Sequence, residues 1–341
     1  MALTGSFDGI RIRSLAASVP SRVVDNASFE SVQGAETVRK FEKMAGVFER
    51  RHRTTATTRT LARDAALALR DDGSWGPADV DGCLFVSQTP DFRLPATACL
   101  LQADLGLRRE SVAFDIGLGC SGFVYGLYVA ASLLRAGGCR KLLLTGGDCI
   151  SSFVRPGDSA NAMLFGDAGF AAVVERDDAC AQTLPFLLGT DGAGAAAIHS
   201  RGAGMATEIN GLPMADACLN MDGPEVFNFT ISSIPNAIRG FCAATGRDLS
   251  AYDHFAFHQA NRFILKQIAM LAGFPFAKHL LSIDRYGNTS SASIPLALCA
   301  NRDNLAGSTM LCGFGVGLSW GVMDYDFTGT RCLEVRTVED R

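Results

Sequence analysis

The chain has 341 residues, of which 48% are hydrophobic and 19% are charged, and its formal net charge is -4. This composition can bury a large core in one or two α/β units, and the acidic balance gives no reason to expect a nucleic acid as partner. No apolar run approaches the roughly 20 residues of a membrane span. The N-terminus lacks a basic start followed by an apolar segment, so we expect a cytoplasmic protein with no membrane partner.

Strand-like and helical segments alternate along the whole chain. In chain order, we predict strands at residues 10–15, 83–86, 112–116, 142–145, 168–174, 255–257 and 309–314. Helices are predicted at residues 60–69, 96–105, 123–134, 227–241, 262–272 and 291–300. Strands with interleaved helices indicate an α/β fold with a mostly parallel sheet that is covered on both faces. The longest irregular stretch, 189–221, is predicted to be a surface excursion or a cap over a site.

A cysteine at the junction of a strand and a helix is the first candidate for chemistry. Cys120 lies in a glycine-rich stretch between the strand predicted at 112–116 and the helix predicted at 123–134. Backbone N–H groups at a helix N-terminus favour negative charge, so we expect this thiol to ionise more easily than a free one. The other ten of the eleven cysteines form no C-x-x-C pair. We interpret them as small buried hydrophobic residues in a reducing compartment and expect no metal site.

Three further segments could serve the thiol. His258 follows the strand predicted at 255–257, at the edge of an α/β sheet where ligands usually bind, although a purely structural histidine is the alternative. Asn288 lies between a glycine and the small residues that begin the next predicted helix. It is either a site residue or a helix cap. Residues 312–320 form a glycine-rich turn whose N–H groups could approach an oxyanion. His52 stands among arginines, and we expect it on a solvated face.

In this order, the cysteine, the histidine, the asparagine and the glycine turn resemble the β-ketoacyl-acyl-carrier-protein synthase III family of the thiolase-like superfamily. The segments that carry the resemblance span nearly the whole chain and are 46–51, 95–102, 115–126, 165–169, 221–227, 258–261, 287–293 and 312–320. The resemblance implies a five-layer αβαβα core of two pseudo-repeated halves, which we place at residues 1–176 and 177–341. It also implies a homodimer.

The resemblance assigns roles to individual residues. Cys120, His258 and Asn288 match the catalytic triad of the family, and the backbone N–H groups of Cys120 and Val316 would hold the oxyanion. Cys120 would take an acyl group from a thioester. A malonyl thioester, on acyl carrier protein, would then lose carbon dioxide and attack the acyl-cysteine to give a 3-oxoacyl thioester. This chemistry calls for no metal and no redox cofactor.

The chain departs from the family at the expected donor site. In primer-binding members, an aromatic residue and two arginines surround the nucleotide of coenzyme A. Here Lys40 aligns with the aromatic residue, and Met44 and Ser159 align with the arginines. Their loss favours a carrier-bound acyl donor or a differently held coenzyme A. Leu94 stands where many acetyl-specific members place a phenylalanine from the partner subunit, so we expect an acyl pocket for a longer or branched group.

The remaining candidates are less specific. Asn261, Arg262 and Lys266 follow the histidine motif and could bind substrate or an acidic carrier protein, with an ordinary solvated helix face as the alternative. Val316 replaces a glycine of the family's terminal turn, and its backbone must avoid a positive φ. Two other functions stay open: an acyltransferase of the same fold that does not decarboxylate, and a non-catalytic partner subunit. The complete triad argues against the subunit.

Overall fold

The structure is a computed structural model that describes residues 2–155, 157–159, 161–202, 204–214 and 217–339. Its strands are β1 (Leu3–Asp8), β2 (Ile10–Pro20), β3 (Val23–Asp25), β4 (Glu49–Arg51), β5 (Gly82–Val86), β6 (Val112–Ile116), β7 (Lys141–Cys149), β8 (Asp167–Arg176), β9 (Thr183–Thr190), β10 (Ile198–His199), β11 (Glu208–Ile209), β12 (Leu212–Pro213), β13 (Asn220–Met221), β14 (His254–Phe257), β15 (Ser308–Gly315), β16 (Ser319–Asp326), β17 (Arg331–Cys332) and β18 (Arg336–Val338). Its α-helices are α1 (Glu30–Gln33), α2 (Ala35–Ala45), α3 (Thr58–Asp71), α4 (Thr97–Asp104), α5 (Gly122–Arg135), α6 (Gly223–Thr245), α7 (Arg262–Ala272), α8 (Ile283–Tyr286) and α9 (Ser293–Ala300).

Two large sheets organise the described residues. The first has the strand order β17-β2-β8-β7-β5-β6, with β18 also paired to β2, and the second has the order β1-β9-β16-β15-β14. Strand β5 runs parallel to β6 and β7, and β14 runs parallel to β15. Strand β8 pairs antiparallel with β2 and β7, and β16 pairs antiparallel with β9 and β15. Strands β17 and β18 also run parallel to β2, so most pairings in the first sheet are parallel, whereas most in the second sheet are antiparallel. The prediction of a mostly parallel sheet therefore holds for the first sheet and is wrong for the second. Strands β15 and β16 are joined by a short glycine turn, and a connection that short makes neighbours antiparallel.

Helices separate and cover the two sheets. Helices α5 and α9 lie between them and fill a central core with apolar side chains such as Leu127 and Leu298. Helices α3 and α4 cover the outer face of the first sheet. Helices α6 and α7 cover the outer face of the second. The layers follow the order αβαβα, which confirms the predicted fold class.

The sequence pattern located most of the buried elements. Strand β6 and helix α7 have the predicted bounds, while β2 and β7 are longer than predicted. Strands β1, β9 and β16 and helix α2 escaped prediction; β1 is mostly exposed and has no alternating apolar pattern. The division at 176/177 falls between β8 and β9, but β1 joins the second sheet, and β17 and β18 join the first. The division stays a prediction.

No disulfide joins any two of the cysteines in the described part of the chain. Of the ten besides Cys120, five are buried as expected (Cys83, Cys139, Cys149, Cys299, Cys312), four are half-buried and Cys99 is exposed. Within the described ranges, no group of three or more His, Cys, Asp or Glu side chains could hold a metal ion. None of the helices seen in the described part of the chain combines the length and the apolar character that crossing a membrane requires.

Candidate active site

A cavity of about 1180 Å³ brings the three candidate catalytic side chains together. Cys120, His258 and Asn288 all lie on its wall, although they come from distant parts of the sequence. Side chains of the stretch 189–221 line the cavity as well, among them Met205 and Met214. Of the two interpretations of this stretch, the structure therefore favours the cap.

Cys120 lies where the two sheets meet. It follows β6 and precedes α5, which begins at Gly122. Gly315, at the end of β15, approaches the thiol so closely that an added Cβ would lie 2.7 Å from Cβ and 2.9 Å from Sγ of Cys120. Gly315 also has a φ of +151°. Only glycine fits this position, because a side chain would displace the nucleophile or strain the backbone.

Burial dominates the ionisation of Cys120. It raises the pKa of the thiol to about 11, and the nearby carboxylate of Asp148 acts in the same direction. The backbone N–H groups of Val316 and Cys120 and the hydroxyl of Ser290 lower the pKa of the thiol, but by less. The predicted easier ionisation is therefore wrong, because desolvation outweighs the donors around the helix N-terminus.

His258 is a buried, neutral imidazole at the carboxyl end of β14. Its side chain is 2% exposed, and its ring meets the ring of Phe314 edge-on at 5.4 Å between centroids. Its backbone N–H donates to the carbonyl of Cys312 at 2.8 Å, and Nδ1 lies 2.8 Å from Oγ of Ser293. Burial lowers the pKa of His258 to about 3, so the imidazole stays uncharged at neutral pH.

The orientation of Asn288 is fixed by three hydrogen bonds. Its backbone N–H donates to the carbonyl of Leu164 at 2.9 Å, and its carbonyl accepts from the N–H of Gly166 at 3.0 Å. The side-chain Oδ1 accepts from the N–H of Ser290 at 2.9 Å. Because the amide oxygen is engaged, Nδ2 is the end of the side chain that can donate to a substrate.

The terminal glycine turn tolerates Val316. The flanking residues Gly315 and Gly317 take positive φ angles of +151° and +142°, whereas Val316 does not. Val316 lines the cavity, and its carbonyl accepts a hydrogen bond from the Ser319 hydroxyl at 2.7 Å. Its N–H therefore remains close to the sulfur of Cys120 despite the missing glycine.

Of the three residues predicted to bind the carrier, Asn261 lines the cavity, whereas Arg262 and Lys266 do not. Asn261 lines the cavity and caps α7, since its Oδ1 accepts from the N–H of Ile264 at 2.7 Å. Arg262 and Lys266 are exposed on the same helix. The side chain of Arg262 packs on Gly46, because a Cβ added to Gly46 would lie 2.7 Å from Cβ of Arg262.

The residues expected near the donor and the acyl chain lie apart from the cavity wall. Lys40, Met44 and Ser159 are exposed. Nζ of Lys40 is paired with Glu36 at 2.7 Å, one turn earlier on α2. Leu94 is 84% exposed in the single chain.

Several residues of this region escaped the sequence analysis. His52 is not on a solvated face: its Nε2 lies 3.0 Å from the carbonyl of Phe165, and burial lowers its pKa. Asp148 is fully buried beside the site, and Ser290 and Ser293 contact the candidate catalytic side chains. A carboxylate at the end of a buried apolar strand was the available signal for Asp148. The two serines lie inside the segment 287–293 already singled out.

Comparisons with known proteins agree with this geometry. Family models described as 3-oxoacyl-[acyl-carrier-protein] synthase III and its C-terminal part match residues 114–192 and 242–326. A β-ketoacyl-[acyl-carrier-protein] synthase III 2 of Streptomyces coelicolor is 36% identical over 329 residues, covering 94% of each chain. A solved 3-oxoacyl-(acyl-carrier protein) synthase from Burkholderia xenovorans LB400 has a TM-score of 0.92 and 36% identity, and the match covers 99% of each chain. The priming β-ketosynthase of the R1128 polyketide pathway has a TM-score of 0.82 and 25% identity, covering 94% of this chain and 96% of that one.

Proposed function

The chain belongs to the 3-oxoacyl-[acyl-carrier-protein] synthase III family and is an acyltransferase-type condensing enzyme, and from this premise we propose that it carries its acyl group on Cys120. The observation that supports this assignment is the shared cavity wall of Cys120, His258 and Asn288. The thiolate of Cys120 attacks an acyl thioester, the acyl carbon–sulfur bond to the carrier breaks, and the carrier thiol leaves. The N–H groups of Cys120 and Val316 stabilise the oxyanion that forms.

The second step is the condensation. A malonyl thioester, presented by acyl carrier protein, places its thioester carbonyl between His258 and Asn288. Loss of carbon dioxide puts negative charge on that oxygen, where donors already in position stabilise it. Nδ2 of Asn288 is such a donor. His258 lines the same cavity, and its Nδ1 lies 2.8 Å from Oγ of Ser293, whose hydroxyl donates to the carbonyl of Ser290 at 2.7 Å. The carbanion then attacks the acyl-cysteine, and a 3-oxoacyl thioester leaves.

We place the enzyme in fatty acid or specialised lipid or polyketide synthesis, with a carrier-bound acyl group as the donor. The exposed side chain of Met44 and the pairing of Lys40 with Glu36 support this choice, because neither offers an aromatic face or a free bidentate cation to a nucleotide. Arg262 and Lys266 offer exposed positive charge to an acidic carrier on the helix that begins after Asn261, a residue of the cavity wall. The lack of a disulfide among the described cysteines supports a location in the reducing cytoplasm.

We further propose a homodimer formed through β6. This strand is the edge of the first sheet, and it leaves apolar side chains in solvent, with Val112 43% and Phe114 38% exposed. Leu94 and Phe92 are exposed as well, at 84% and 54%. An apolar edge strand with exposed neighbours is covered in a stable protein. In that dimer Leu94 borders the acyl pocket of the partner.

A donor screen tests the proposal. Acyl-coenzyme A and acyl-carrier-protein of several chain lengths are offered to the wild-type protein and to Cys120→Ala, and loading is read by intact mass before malonyl-carrier-protein is added. We expect loading of the wild type only, a preference for the carrier-bound donor, and a 3-oxoacyl product. An unmodified Cys120 with every donor would support the non-catalytic subunit. Loading without carbon dioxide release would support a simple acyltransferase.

A further inference from the structure

A histidine outside the proposed triad contacts the backbone that holds Asn288. His52 follows β4, is half-buried, and has its Nε2 3.0 Å from the carbonyl oxygen of Phe165. Because a carbonyl oxygen only accepts, Nε2 carries the proton and donates this hydrogen bond. Phe165 in turn forms the isolated parallel β-bridge with Asn288. One residue therefore separates the His52 ring from the asparagine of the triad.

The side chains of Arg50 and His52 bind alternate carbonyls of one segment. The two residues lie on extended backbone, since the N–H of His52 continues the β3–β4 pairing by donating to the carbonyl of Arg22 at 3.1 Å. Side chains two residues apart on such backbone point the same way. The buried guanidinium of Arg50 donates to the carbonyl of Met163. His52 donates to the carbonyl two residues later, that of Phe165. Side chains therefore hold this edge of the segment.

The other edge of the same segment holds Asn288. The N–H of Asn288 donates to the carbonyl of Leu164 at 2.9 Å, and its carbonyl accepts from the N–H of Gly166 at 3.0 Å. The carbonyl of Phe165 and the N–H of Gly166 belong to one planar peptide group. His52 and Asn288 thus bind opposite ends of the same rigid unit, so a tilt of this peptide at the His52 end displaces the asparagine backbone.

Two glycines bring β4 close to this unit. A Cβ added at Gly166 would overlap the carbonyl oxygen of Tyr286 and lie 3.2 Å from Cβ of Arg50. Gly287 has a φ of +66°, and a Cβ added there would lie 2.6 Å from the carbonyl oxygen of Leu164. The segments around Asn288 are in close contact, and a close-packed interior transmits a displacement instead of absorbing it.

We propose that His52 is a positioning residue for the condensation, because it holds the peptide that sets the place of the Asn288 amide; this inference rests on the proposed function. The amide must meet the oxygen that gains charge as carbon dioxide leaves, and a misplacement of about 1 Å can cost about a hundredfold in rate. Loading of Cys120 makes no use of Nδ2 of Asn288, so it does not need His52. If the hydrogen bond only stabilised the fold, its loss would affect both half-reactions alike.

Three substitutions separate the hydrogen bond from the ring. His52→Phe keeps a ring without the donor, His52→Ala removes both, and His52→Gln keeps an N–H donor on a side chain of comparable reach. In the full-length protein, intact mass measures loading, and carbon dioxide release gives kcat and KM for the malonyl thioester. His52→Phe and His52→Ala should lose at least about tenfold in kcat, with KM and loading within about twofold of wild type. His52→Gln should restore kcat to within about threefold.

Asn288→Ala provides the background that tests whether His52 acts through Asn288. In that background, His52→Phe should slow condensation no further, because two residues that act through one interaction are not additive. His254→Phe is the matched control. Nε2 of His254 lies 3.3 Å from the carbonyl of Ala306, and His254 is not on the cavity wall, so this variant should load and condense like the wild type.

The positioning role would be overturned by condensation within about twofold of wild type in both His52→Phe and His52→Ala, judged against the loss expected from misplacement. A parallel loss of loading and condensation, an equal loss in His52→Gln, or a full further loss in the Asn288→Ala background would overturn it as well. A wild-type protein that loads no acyl group, or that loads and releases no carbon dioxide with a malonyl thioester, would instead contradict the proposed function itself.

Discussion

Asn288 and Phe165 form an isolated parallel β-bridge that ties the start of the segment 288–293 to the entry of β8. The bridge lies next to the cavity, and it holds the Asn288 backbone on both sides through Leu164 and Gly166. The asparagine is therefore rigid before substrate binds, as a donor aimed at a developing charge must be.

Asn288→Ala should separate the two half-reactions. The variant keeps its backbone bonds to Leu164 and Gly166 but loses the Nδ2 donor, so loading should persist while condensation falls about a hundred- to a thousandfold. Intact mass measures the acyl-enzyme, and carbon dioxide release measures condensation. Normal condensation by this variant would show that Asn288 has another role.

Gly315→Ala should disable the nucleophile. The new Cβ would lie 2.9 Å from Sγ of Cys120, and displacement of the sulfur should slow loading about a hundredfold. Gly137→Ala is the matched control, because Gly137 also has a positive φ, +91°, but has open space around it. If both variants load equally well, the close approach of Gly315 to Cys120 does not affect acyl loading.

His258 should stay neutral throughout the range in which the enzyme works. Its pKa is lowered to about 3 by burial, so protonation sets in only far below the ordinary range of histidine. NMR of the His258 imidazole should show no titration between about pH 5 and 8, where an unperturbed histidine changes charge. Condensation from the preloaded enzyme should likewise lack a histidine inflection. A titration midpoint of the His258 imidazole near the ordinary pKa of histidine would contradict the burial of His258.

Phe114→Glu should convert the proposed dimer to a monomer. The substitution places a charge on the exposed apolar edge of β6, where a partner strand would bury it. Val32→Glu is the control, since Val32 is 65% exposed and lies on α1 rather than β6. Light scattering after gel filtration measures the mass. A dimer that survives Phe114→Glu would show that the interface lies on another face.

Leu94→Phe should shorten the accepted acyl chain. The larger ring would occupy space at the pocket border if Leu94 reaches the partner's cavity, so long or branched donors should lose loading while short donors keep it. Competition between donors of two lengths, read by intact mass, measures the shift. An unchanged preference would remove Leu94 from the acyl pocket.

The sequence by itself determined the fold class and singled out the candidate site residues. Cys120, His258 and Asn288 each stand in a short segment with a recognisable local pattern, and local order along the chain is enough to find such segments. Periodicity also located β6 and α7, because both are bounded by strong local signals. It could not find β1, which is exposed and gains its pairing only from β9.

Only the tertiary structure decided how the residues act on one another. Desolvation is a property of the packed interior, so the raised pKa of Cys120 overrode the effect expected from the helix N-terminus. The hydrogen bond from the N–H of Ser291 to Oδ2 of Asp148 joins segments 143 positions apart along the chain. Such a contact has no signature in a single sequence, because it depends on how the two sheets are brought together around α5 and α9.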